Sequence, residues 1–388
     1  MVVSSAVPSD HPELERAREL GLPIVRRAEA LAAAISPGQV VAVAGTHGKT
    51  TTTVMTTEAL AAAGLNPTGI AGGRVAGWGG NARAGGDQLF VVEADEYDRS
   101  FLALTAQVAV INNVEADHLE CYGSLDALEQ AFVEFASPAR RVIVGGDDAT
   151  AVRVARAAGR PTWTVGLSAK ADVRIQAVDR SPGRSVATVT LPGGRTVELQ
   201  LQVPGLHNVR NASAALAVAA ELGADLGPAL RALSEFTGVG RRFELIGEAG
   251  GVVVVDDYAH HEAEIAATLE AARQAYPTRR LVAVFQPHLY SRTRDHGTAM
   301  GQALAAADVA VVTDVYGARE TPVPGVDGRL VVRGAEAAGA KRVVWMPSRD
   351  DLAGCVRDLS SRGDLVLTMG AGDVTMVGRE LLRLLEER

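Results

Sequence analysis

The chain has 388 residues, of which 47% are hydrophobic, so it is long enough for two or three domains with sizeable cores. Its net charge is −8, with 38 basic residues dispersed among 46 acidic ones, which argues against nucleic acid or an anionic membrane as the main partner. Cys121 and Cys355 have no metal-ligand spacing, and no apolar run is long enough to cross a membrane. We therefore expect a cytoplasmic globular protein without a signal peptide.

Valine-rich segments alternate with alanine-rich ones, which predicts an α/β fold with mostly parallel sheets covered by helices. The segment 40–45, VVAVAG, predicts a buried strand, and the helix after it is expected to end at Gly64. From about Asp172 to Val203, short alternating segments with the turns SPG and LPGG predict a small antiparallel insertion or edge. A second α/β series follows the linker-like TGVGRRFE. The predicted organisation is a short amino-terminal region (1–37), a central domain (38–237) and a carboxy-terminal domain (238–388).

The segment AGTHGKTTT predicts a phosphate-binding loop, although Val43 stands where the usual pattern has its first glycine. Gly45 and Gly48 allow a tight turn in which consecutive backbone N–H groups converge on phosphate. Lys49 would neutralise the phosphates, and the hydroxyl of Thr50 would hold Mg²⁺. An ordinary strand-to-helix turn is the alternative. The predicted loop residues are Gly45, Thr46, His47, Gly48, Lys49, Thr50 and Thr51.

Polar residues follow the next two predicted strands, in VVEADEYD and NNVEADH. Carboxylates and a histidine near a phosphate loop can hold the metal ions that phosphoryl transfer needs, whereas solvated strand ends are the alternative. The acidic and histidine candidates are Glu93, Asp95, Glu96, Asp98, Glu115, Asp117 and His118.

Farther on, in PGLHNVRNASAA, Asn208 and Asn211 open a helix. They are either caps or, together with the ring of His207, an adenine site.

Two polar clusters follow strands of the carboxy-terminal series, in VVDDYAHHEAEI and FQPHLYSRTRDH. Their charges of both signs suit a substrate with a carboxylate and an amine, whereas exposed surface residues are the alternative. A zinc site is the less favoured interpretation, because His260 and His261 are adjacent instead of sharing one face of a helix. The cluster residues are Asp256, Asp257, Tyr258, His260, His261, His288, Tyr290, Arg292 and Arg294.

These motifs, with GVGRRFE, TDVYGARETPV and GAGD, resemble the ATP-dependent Mur ligase family of peptidoglycan synthesis over the whole chain and in the same order. The resemblance is greatest to the alanine-adding branch. The branch that recycles a tripeptide shares EADEYD, but it typically has phenylalanine at Tyr258 and lacks QPHLYSRT. That branch remains the alternative.

The resemblance implies a central P-loop ATPase domain, a carboxy-terminal Rossmann-like domain, and ATP and Mg²⁺ as cofactors. The γ-phosphate of ATP would be transferred to the lactyl carboxylate of UDP-N-acetylmuramate, and the amine of L-alanine would attack the acyl phosphate. Lys49, His260 and Arg292 match catalytic positions, and Thr50, Glu93 and His118 match metal ligands. The resemblance adds four residues to the ATP site, which are His207, Asn208, Asn211 and either Arg242 or its neighbour Arg241. The substrate-binding positions are Asn81, Asp257, Tyr258, His260, His288 and Arg292.

Three positions depart from the family pattern. Leu289 stands where many relatives have arginine, so one anionic contact is lost or is supplied by Arg294. Glu262 stands where proline usually follows the two histidines, which changes the backbone at that turn. Residues 1–37 match only the last part of a UDP-binding domain, with no glycine-rich turn before residue 40. Two further hypotheses are therefore an enzyme acting on another carboxylate and a catalytically silent ATP-binding protein.

Overall fold

The computed structural model describes residues 1–4 and 7–387. The described chain forms two compact units, which we call unit 1 and unit 2. Unit 1 consists of Met1–Asp179, Val186–Leu201 and His207–Phe236. Unit 2 consists of Arg180–Ser185, Gln202–Leu206 and Thr237–Arg388. The predicted boundary near Thr237 coincides with the start of the longest segment of unit 2, while the three-domain division stays a prediction.

Unit 1 starts with a short amino-terminal region of alternating strands and helices. Strands β1 (Val2–Val3) and β2 (Val25–Arg26) pair in parallel and alternate with helices α1 (Pro12–Glu19) and α2 (Arg27–Ile35). Ile35, at the end of α2, is buried in the main hydrophobic core of unit 1. The region is therefore packed onto the larger α/β body that follows it in the chain.

That body contains a sheet of ten strands in the order β12-β11-β10-β9-β8-β7-β3-β6-β4-β5 among the described residues. Two 3₁₀ segments, Ala76–Trp78 and Tyr97–Ala103, follow β4 and β6. In chain order, the strands and helices are β3 (Gln39–Ala44), α3 (Lys49–Ala62), β4 (Thr68–Val75), β5 (Gly80–Arg83), β6 (Leu89–Glu93), β7 (Val108–Ile111), α4 (Leu119–Tyr122), α5 (Leu125–Ala136), β8 (Arg141–Gly145), α6 (Ala149–Ala157), β9 (Thr162–Gly166), β10 (Val173–Asp179), β11 (Ser185–Thr190), β12 (Thr196–Leu201), α7 (Leu206–Glu221) and α8 (Leu226–Ser234).

The centre of this sheet determines which loops meet. Strand β3 is a run of valine and alanine buried on both faces, as expected for a central parallel strand. It pairs in parallel with β6 and β7, and Val41 aligns with Val91 on one side and Val108 on the other. The carboxyl ends of all three strands consequently lie at one edge of the sheet. The loops carrying AGTHGKTTT, EADEYD and NNVEADH leave from this edge.

The edge of the sheet beyond β9 is antiparallel, as the sequence predicted for residues 172–203. Strand β10 pairs in parallel with β9 and antiparallel with β11. A register shift between Gln176 and Asp179 interrupts the antiparallel pairing. The prediction of an antiparallel edge is therefore confirmed.

Unit 2 contains a sheet in the order β13-β14-β18-β15-β16-β17, in which β13 alone among these described strands pairs antiparallel. Alternate residues of β14 face opposite sides, so Val253 and Val255 lie in one core and Val252 and Val254 in the other. Its elements are β13 (Glu244–Ala249), β14 (Val252–Asp257), α9 (Glu262–Ala275), β15 (Arg280–Phe285), α10 (Tyr290–Leu304), β16 (Val309–Val312), α11 (Arg329–Ala337), β17 (Val343–Trp345), α12 (Arg349–Leu359), β18 (Asp364–Met369) and α13 (Thr375–Glu386).

The predicted α/β class with mostly parallel sheets is confirmed in both units. Helices cover both faces of the unit 2 sheet, which explains why its strands read as continuous runs of valine and leucine. Across the part of the chain that the structure describes, we find no helix with the length and apolar character needed to cross a membrane.

Candidate functional site

The predicted phosphate loop is a tight turn between β3 and α3. Gly48 is the residue before α3 and has φ +77°, a conformation that favours glycine. A Cβ atom at Gly48 would lie 2.8 Å from Asn211 Oδ1, and one at Gly45 would lie 3.0 Å from the Asn112 nitrogen. Because Gly48 has no side chain, it leaves the first-turn N–H groups of α3 uncapped, which suits an anion.

Lys49 reaches from the first turn of α3 across the loop. Its Nζ donates to the carbonyl oxygens of Gly45 and Thr46, at 2.8 and 3.3 Å. It also lies 2.9 and 2.8 Å from the two carboxylate oxygens of Glu96, whose side chain is 2% exposed. Burial opposes the charged form, but Glu96 and Asp95 outweigh it and hold the pKa of Lys49 above its usual value. Lys49 is therefore a cation at neutral pH.

Thr50 and Glu93 are brought together at the same edge of the sheet. The Thr50 hydroxyl donates to Glu93 Oε1 at 2.9 Å, and the backbone N–H of Gly72 donates to the other carboxylate oxygen. The structure therefore joins the hydroxyl and the carboxylate that the sequence predicted as ligands of one metal ion.

Residues after β7 form the opposite wall of the loop. Asn113 accepts from the His47 backbone N–H through its side-chain oxygen at 2.7 Å, and its carbonyl accepts from Thr46 N at 3.1 Å. The Thr46 hydroxyl accepts from Glu115 N at 2.9 Å, and His47 Nε2 lies 3.4 Å from Glu115 Oε2. The two asparagines of NNVEADH thus shape the loop, a role that the sequence alone did not indicate.

His118 lies farther along the same segment. Its backbone has φ +55° and precedes α4, while its N–H donates to Asp117 Oδ1 at 2.8 Å. Its ring contacts the ring of Tyr97 edge-on, with centroids 5.1 Å apart. Its Nε2 lies 3.7 Å from Asp117 Oδ2, so an imidazole and a carboxylate are neighbours here.

The predicted adenine residues open α7, as expected. Asn208 and Asn211 are buried, and His207 is half-buried. Asn211 Oδ1 lies against Gly48, so its side chain belongs to the phosphate loop as well as to the helix. Asn81 is an exposed residue of the edge strand β5.

In unit 2, Arg241 and Arg242 both contact the Tyr258 ring through their guanidinium groups. Their guanidinium carbons are 4.9 and 5.0 Å from the ring centroid. Arg241 donates to Asp256 at 3.2 Å and to the carbonyl oxygen of Gly370 at 2.6 Å. The guanidinium of Arg242 instead lies 3.8 Å from Glu264. Arg241 is thus tied to the ends of β14 and β18, which leaves Arg242 as the better candidate to contact a nucleotide.

Asp257 organises the backbone at the end of β14. One of its oxygens accepts from Phe243 N at 2.7 Å, and the other accepts from Ala259 N at 2.8 Å. Burial raises the pKa of Asp257 to about 6, although the charge of Arg242 and the two backbone N–H groups oppose this shift. The carboxylate therefore positions the following segment, which contains Tyr258 and His260.

The histidines of the two clusters converge at the carboxyl ends of β14 and β15. His260 Nδ1 lies 2.9 Å from the Tyr258 carbonyl oxygen and 3.2 Å from Glu264 Oε2. The rings of His260 and His288 have centroids 6.2 Å apart, and His288 stacks on Tyr316 at 5.9 Å. Arg292 is buried in the first turn of α10. The structure therefore assembles the predicted residues of both clusters into one region of unit 2.

Comparison with curated proteins decides the family. A UDP-N-acetylmuramate–L-alanine ligase of Kineococcus radiotolerans is 49% identical over 100% of this chain and 83% of its own length. The chain belongs to the Mur ligase family. The ligase of the same name from Streptomyces coelicolor is 47% identical, and the alignment covers 98% of this Mur ligase and 83% of that protein.

Family models and solved structures agree with this assignment. Residues 1–38 match the Mur ligase family catalytic domain, 43–219 the Mur ligase middle domain, and 241–372 the Mur ligase glutamate ligase domain. UDP-N-acetylmuramate-alanine ligase from Thermotoga maritima superposes with a TM-score of 0.83 at 30% identity, over 100% of this Mur ligase and 85% of that chain. Murein peptide ligase from Psychrobacter arcticus gives 0.73 at 25%, over 100% and 86% of the two chains.

Several polar residues of this Mur ligase line a cavity in unit 2, although the sequence analysis predicted no role for them. Gln286 and Asp373, joined at 2.7 Å, line a cavity of about 330 Å³ with Tyr316 and Arg349. The cavity is lined mainly by residues of the motifs TDVYGARE and GAGD and by Gln286, to which the sequence analysis assigned no function. Their shared position at the carboxyl ends of parallel strands was the available signal.

The structure shows the surroundings of Leu289, the residue at which the sequence departs from the expected arginine. Leu289 precedes α10 with φ +68°, and its N–H donates to the carbonyl oxygen of Tyr316 at 3.0 Å. Arg294 is exposed and pairs with Asp295 through two hydrogen bonds of 2.7 and 2.9 Å. Of the two alternatives for the missing arginine, the structure favours loss of the contact over replacement by Arg294.

Proposed function

We propose that this chain is an ATP-dependent ligase that joins L-alanine to the lactyl carboxylate of UDP-N-acetylmuramate in the cytoplasm. The observation that carries the proposal is the phosphate loop, in which Lys49 and Thr50 each contact a carboxylate at one edge of the unit 1 sheet. The names of relatives 49% and 47% identical identify the acceptor and the amino acid. The domains proposed for this activity are 1–37, 38–237 and 238–388.

The phosphates of ATP bind at the amino terminus of α3 in this proposal. The loop residues 45–51 offer backbone N–H groups, and Lys49 offers a positive charge that the buried Glu96 now balances. His207, Asn208 and Asn211 bind the adenine, and Asn211 is placed for this by its contact with the loop at Gly48. Arg242 contributes a further cation, since Arg241 is engaged elsewhere.

The donor set at Thr50 and Glu93 fits Mg²⁺, because a hydroxyl and a carboxylate are hard oxygen ligands that already lie 2.9 Å apart. Asp117 adds an oxygen donor beside His118, whose imidazole alone would suit Mg²⁺ less well. When bound, the metal would screen the negative charge that develops on the transferred phosphoryl group. The residues themselves orient the triphosphate relative to Lys49.

The proposed reaction has two steps, which are linked by one activated intermediate, an acyl phosphate. A lactyl carboxylate oxygen attacks the γ-phosphorus of ATP, and ADP leaves with the bridging oxygen and its electron pair. The nitrogen of L-alanine then attacks the carbonyl carbon, the amine loses a proton, and phosphate leaves with the oxygen that came from the carboxylate. Lys49 stabilises the charge on the transferred phosphoryl group, which is the main requirement of phosphoryl transfer.

Residues at the carboxyl ends of β14 and β15 bind the amino acid in this proposal. Arg292 is a buried cation suited to the alanine carboxylate, and His260 is the candidate to accept a proton from the attacking amine. Glu264 lies 3.2 Å from His260 Nδ1, which favours the proton on that nitrogen and leaves Nε2 as the acceptor. Asp257 and Tyr258 hold this segment in place. Asn81 is assigned to the acceptor substrate.

Phosphate release from the full chain tests the proposal. The assay contains ATP, Mg²⁺, UDP-N-acetylmuramate and L-alanine, and omits each component in turn. We expect release only when all are present. Replacing alanine by a muropeptide tripeptide tests the recycling activity. ATP binding without turnover, with either alanine or the tripeptide, would instead support a silent ATP-binding protein.

A further inference from the structure

Unit 2 contains a second group of polar side chains beside the proposed amino-acid site. His261 immediately precedes α9, Glu262 is the first residue of that helix, and His296 lies within α10. Each of the three offers one ligand atom, and these atoms all lie within 4.8 Å of one another. We propose that His261, Glu262 and His296 form a binding site for one divalent transition-metal ion such as Zn²⁺.

The distances place Glu262 between the two imidazoles. Its Oε1 lies 3.1 Å from His296 Nδ1, and its Oε2 lies 3.4 Å from His261 Nε2. Ligand bonds of about 2.0–2.2 Å put neighbouring atoms of a tetrahedral zinc site roughly 3.3 Å apart. The carboxylate and each nitrogen are therefore already close to the separation that a shared metal requires. Coordination would replace the polar contacts that Glu262 now makes.

The chemistry of the group selects among metals. Two imidazoles and one carboxylate are a known ligand set of open zinc sites, in which a water or substrate atom takes the fourth position. Mg²⁺ prefers a shell of oxygens, so it is a poor match for two nitrogen ligands. This group therefore favours Zn²⁺ over Mg²⁺, whereas the Thr50 and Glu93 pair of unit 1 offers only oxygen ligands.

The ligands lie at the start of α9 and within α10, two helices that pack against each other. His261 is 3% exposed, and the side chains of Glu262 and His296 are partly buried at 30% and 22% exposed. The ring centroids of the two histidines are 5.0 Å apart. Because little rearrangement is needed, the ordering cost of binding is small.

Sequence spacing disfavoured zinc because His260 and His261 are adjacent. In the structure these two side chains have different neighbours, since His260 contacts Glu264 while His261 contacts Glu262. The remaining ligand, His296, is 34 residues beyond Glu262 in the chain. A chain with proline at position 262 would lack one ligand, so the site depends on the carboxylate of Glu262.

Calorimetric titration of the full chain with Zn²⁺, in excess Mg²⁺, tests this site. We expect one Zn²⁺ per chain, and Glu262→Gln and His296→Asn should each weaken binding by at least about tenfold. His11→Asn, at the N-cap of α1, and His118→Asn, also in unit 1, are controls that should retain it. Binding that survives both ligand substitutions, or that is lost with His118→Asn, would overturn the proposal.

Two further measurements separate coordination from unfolding. Circular dichroism establishes that each variant is folded, and Zn²⁺ should raise the melting temperature of the unmodified chain but not of the ligand variants. Co²⁺ added in place of Zn²⁺ should give the visible absorption of a four-coordinate ion, and Glu262→Gln should abolish it. A folded protein that shows neither response has only a hydrogen-bonded cluster at this position.

Discussion

Lys49 Nζ lies 2.8 and 2.9 Å from the two carboxylate oxygens of Glu96, so the cation of the proposed phosphate loop is paired with a buried anion. Tyr122 donates to the Glu96 carbonyl oxygen at 2.5 Å and fixes the backbone from the other side. The Glu96 carboxylate therefore supplies a negative charge that balances the Lys49 ammonium group. We infer that Glu96 keeps Lys49 extended across the loop before the nucleotide arrives.

Glu96→Gln should lower the unfolding free energy by about 3 kcal/mol, because it removes one partner of a buried ion pair. ATP should raise the melting temperature of Glu96→Gln more than that of the unmodified chain, since the triphosphate supplies the missing charge. Asp95→Asn is the matched control, because Asp95 lies 3.8 Å from Lys49 and is 54% exposed. Thermal unfolding with and without ATP gives both quantities, and equal ATP effects in all three proteins would exclude this role for Glu96.

Gly48→Ala should abolish ATP binding, because the new methyl group would lie 2.8 Å from Asn211 Oδ1. Gly64→Ala is a close control, since Gly64 has φ +85° and a methyl group added there would have no atom within 4 Å. Both substitutions should cost about 1 kcal/mol of stability from the left-handed backbone alone. Titration of the two variants with ATP should show loss only in Gly48→Ala, and normal affinity there would contradict the loop geometry.

Asp257 should give the chain a distinctive pH dependence. Its pKa is about 6 in the folded chain and has a reference value of 3.8, so the folded state binds the extra proton between these values. The unfolding free energy relative to Asp257→Asn should therefore fall by about 3 kcal/mol as the pH rises from about 3 to about 7. Urea unfolding of both proteins across this range measures the difference. A difference that is constant with pH would contradict the burial of an ionisable Asp257.

Lys49→Ala should reduce turnover by at least about 10²-fold, because it removes the positive charge nearest to the proposed transferred phosphate. Lys170→Ala, at an exposed lysine, should leave turnover unchanged. Phosphate release at saturating substrates measures the effect, and circular dichroism shows whether the variant is folded. An unchanged rate in folded Lys49→Ala would refute the phosphate-loop assignment.

Local pattern was sufficient to predict most of the fold. The valine-rich run of β3 and the Gly-Lys-Thr junction after it predicted a strand, a turn and a helix, because each depends on neighbouring residues. The sequence also drew attention to the four carboxylates of EADEYD. It could not show that Glu96 is the one that contacts Lys49, because this contact joins two loops that are 47 residues apart in the chain.

Long-range contacts account for what the sequence did not predict. The pairing of Glu262 with His296, and the wall that Asn112 and Asn113 form beside the phosphate loop, depend on which elements pack together. The preference for Arg242 over Arg241 likewise required the contacts of Arg241 with Asp256 and Gly370. Residue type and spacing carry no record of these partners.

The fate of an isotopic label tests the central claim most directly. UDP-N-acetylmuramate labelled with ¹⁸O in its lactyl carboxylate is incubated with the chain, ATP, Mg²⁺ and L-alanine, and the released phosphate is analysed by mass spectrometry. The account predicts one ¹⁸O atom in each phosphate formed, because phosphate leaves with an oxygen of the carboxylate. Amide formation with unlabelled phosphate, or with the label in AMP, would contradict activation through an acyl phosphate.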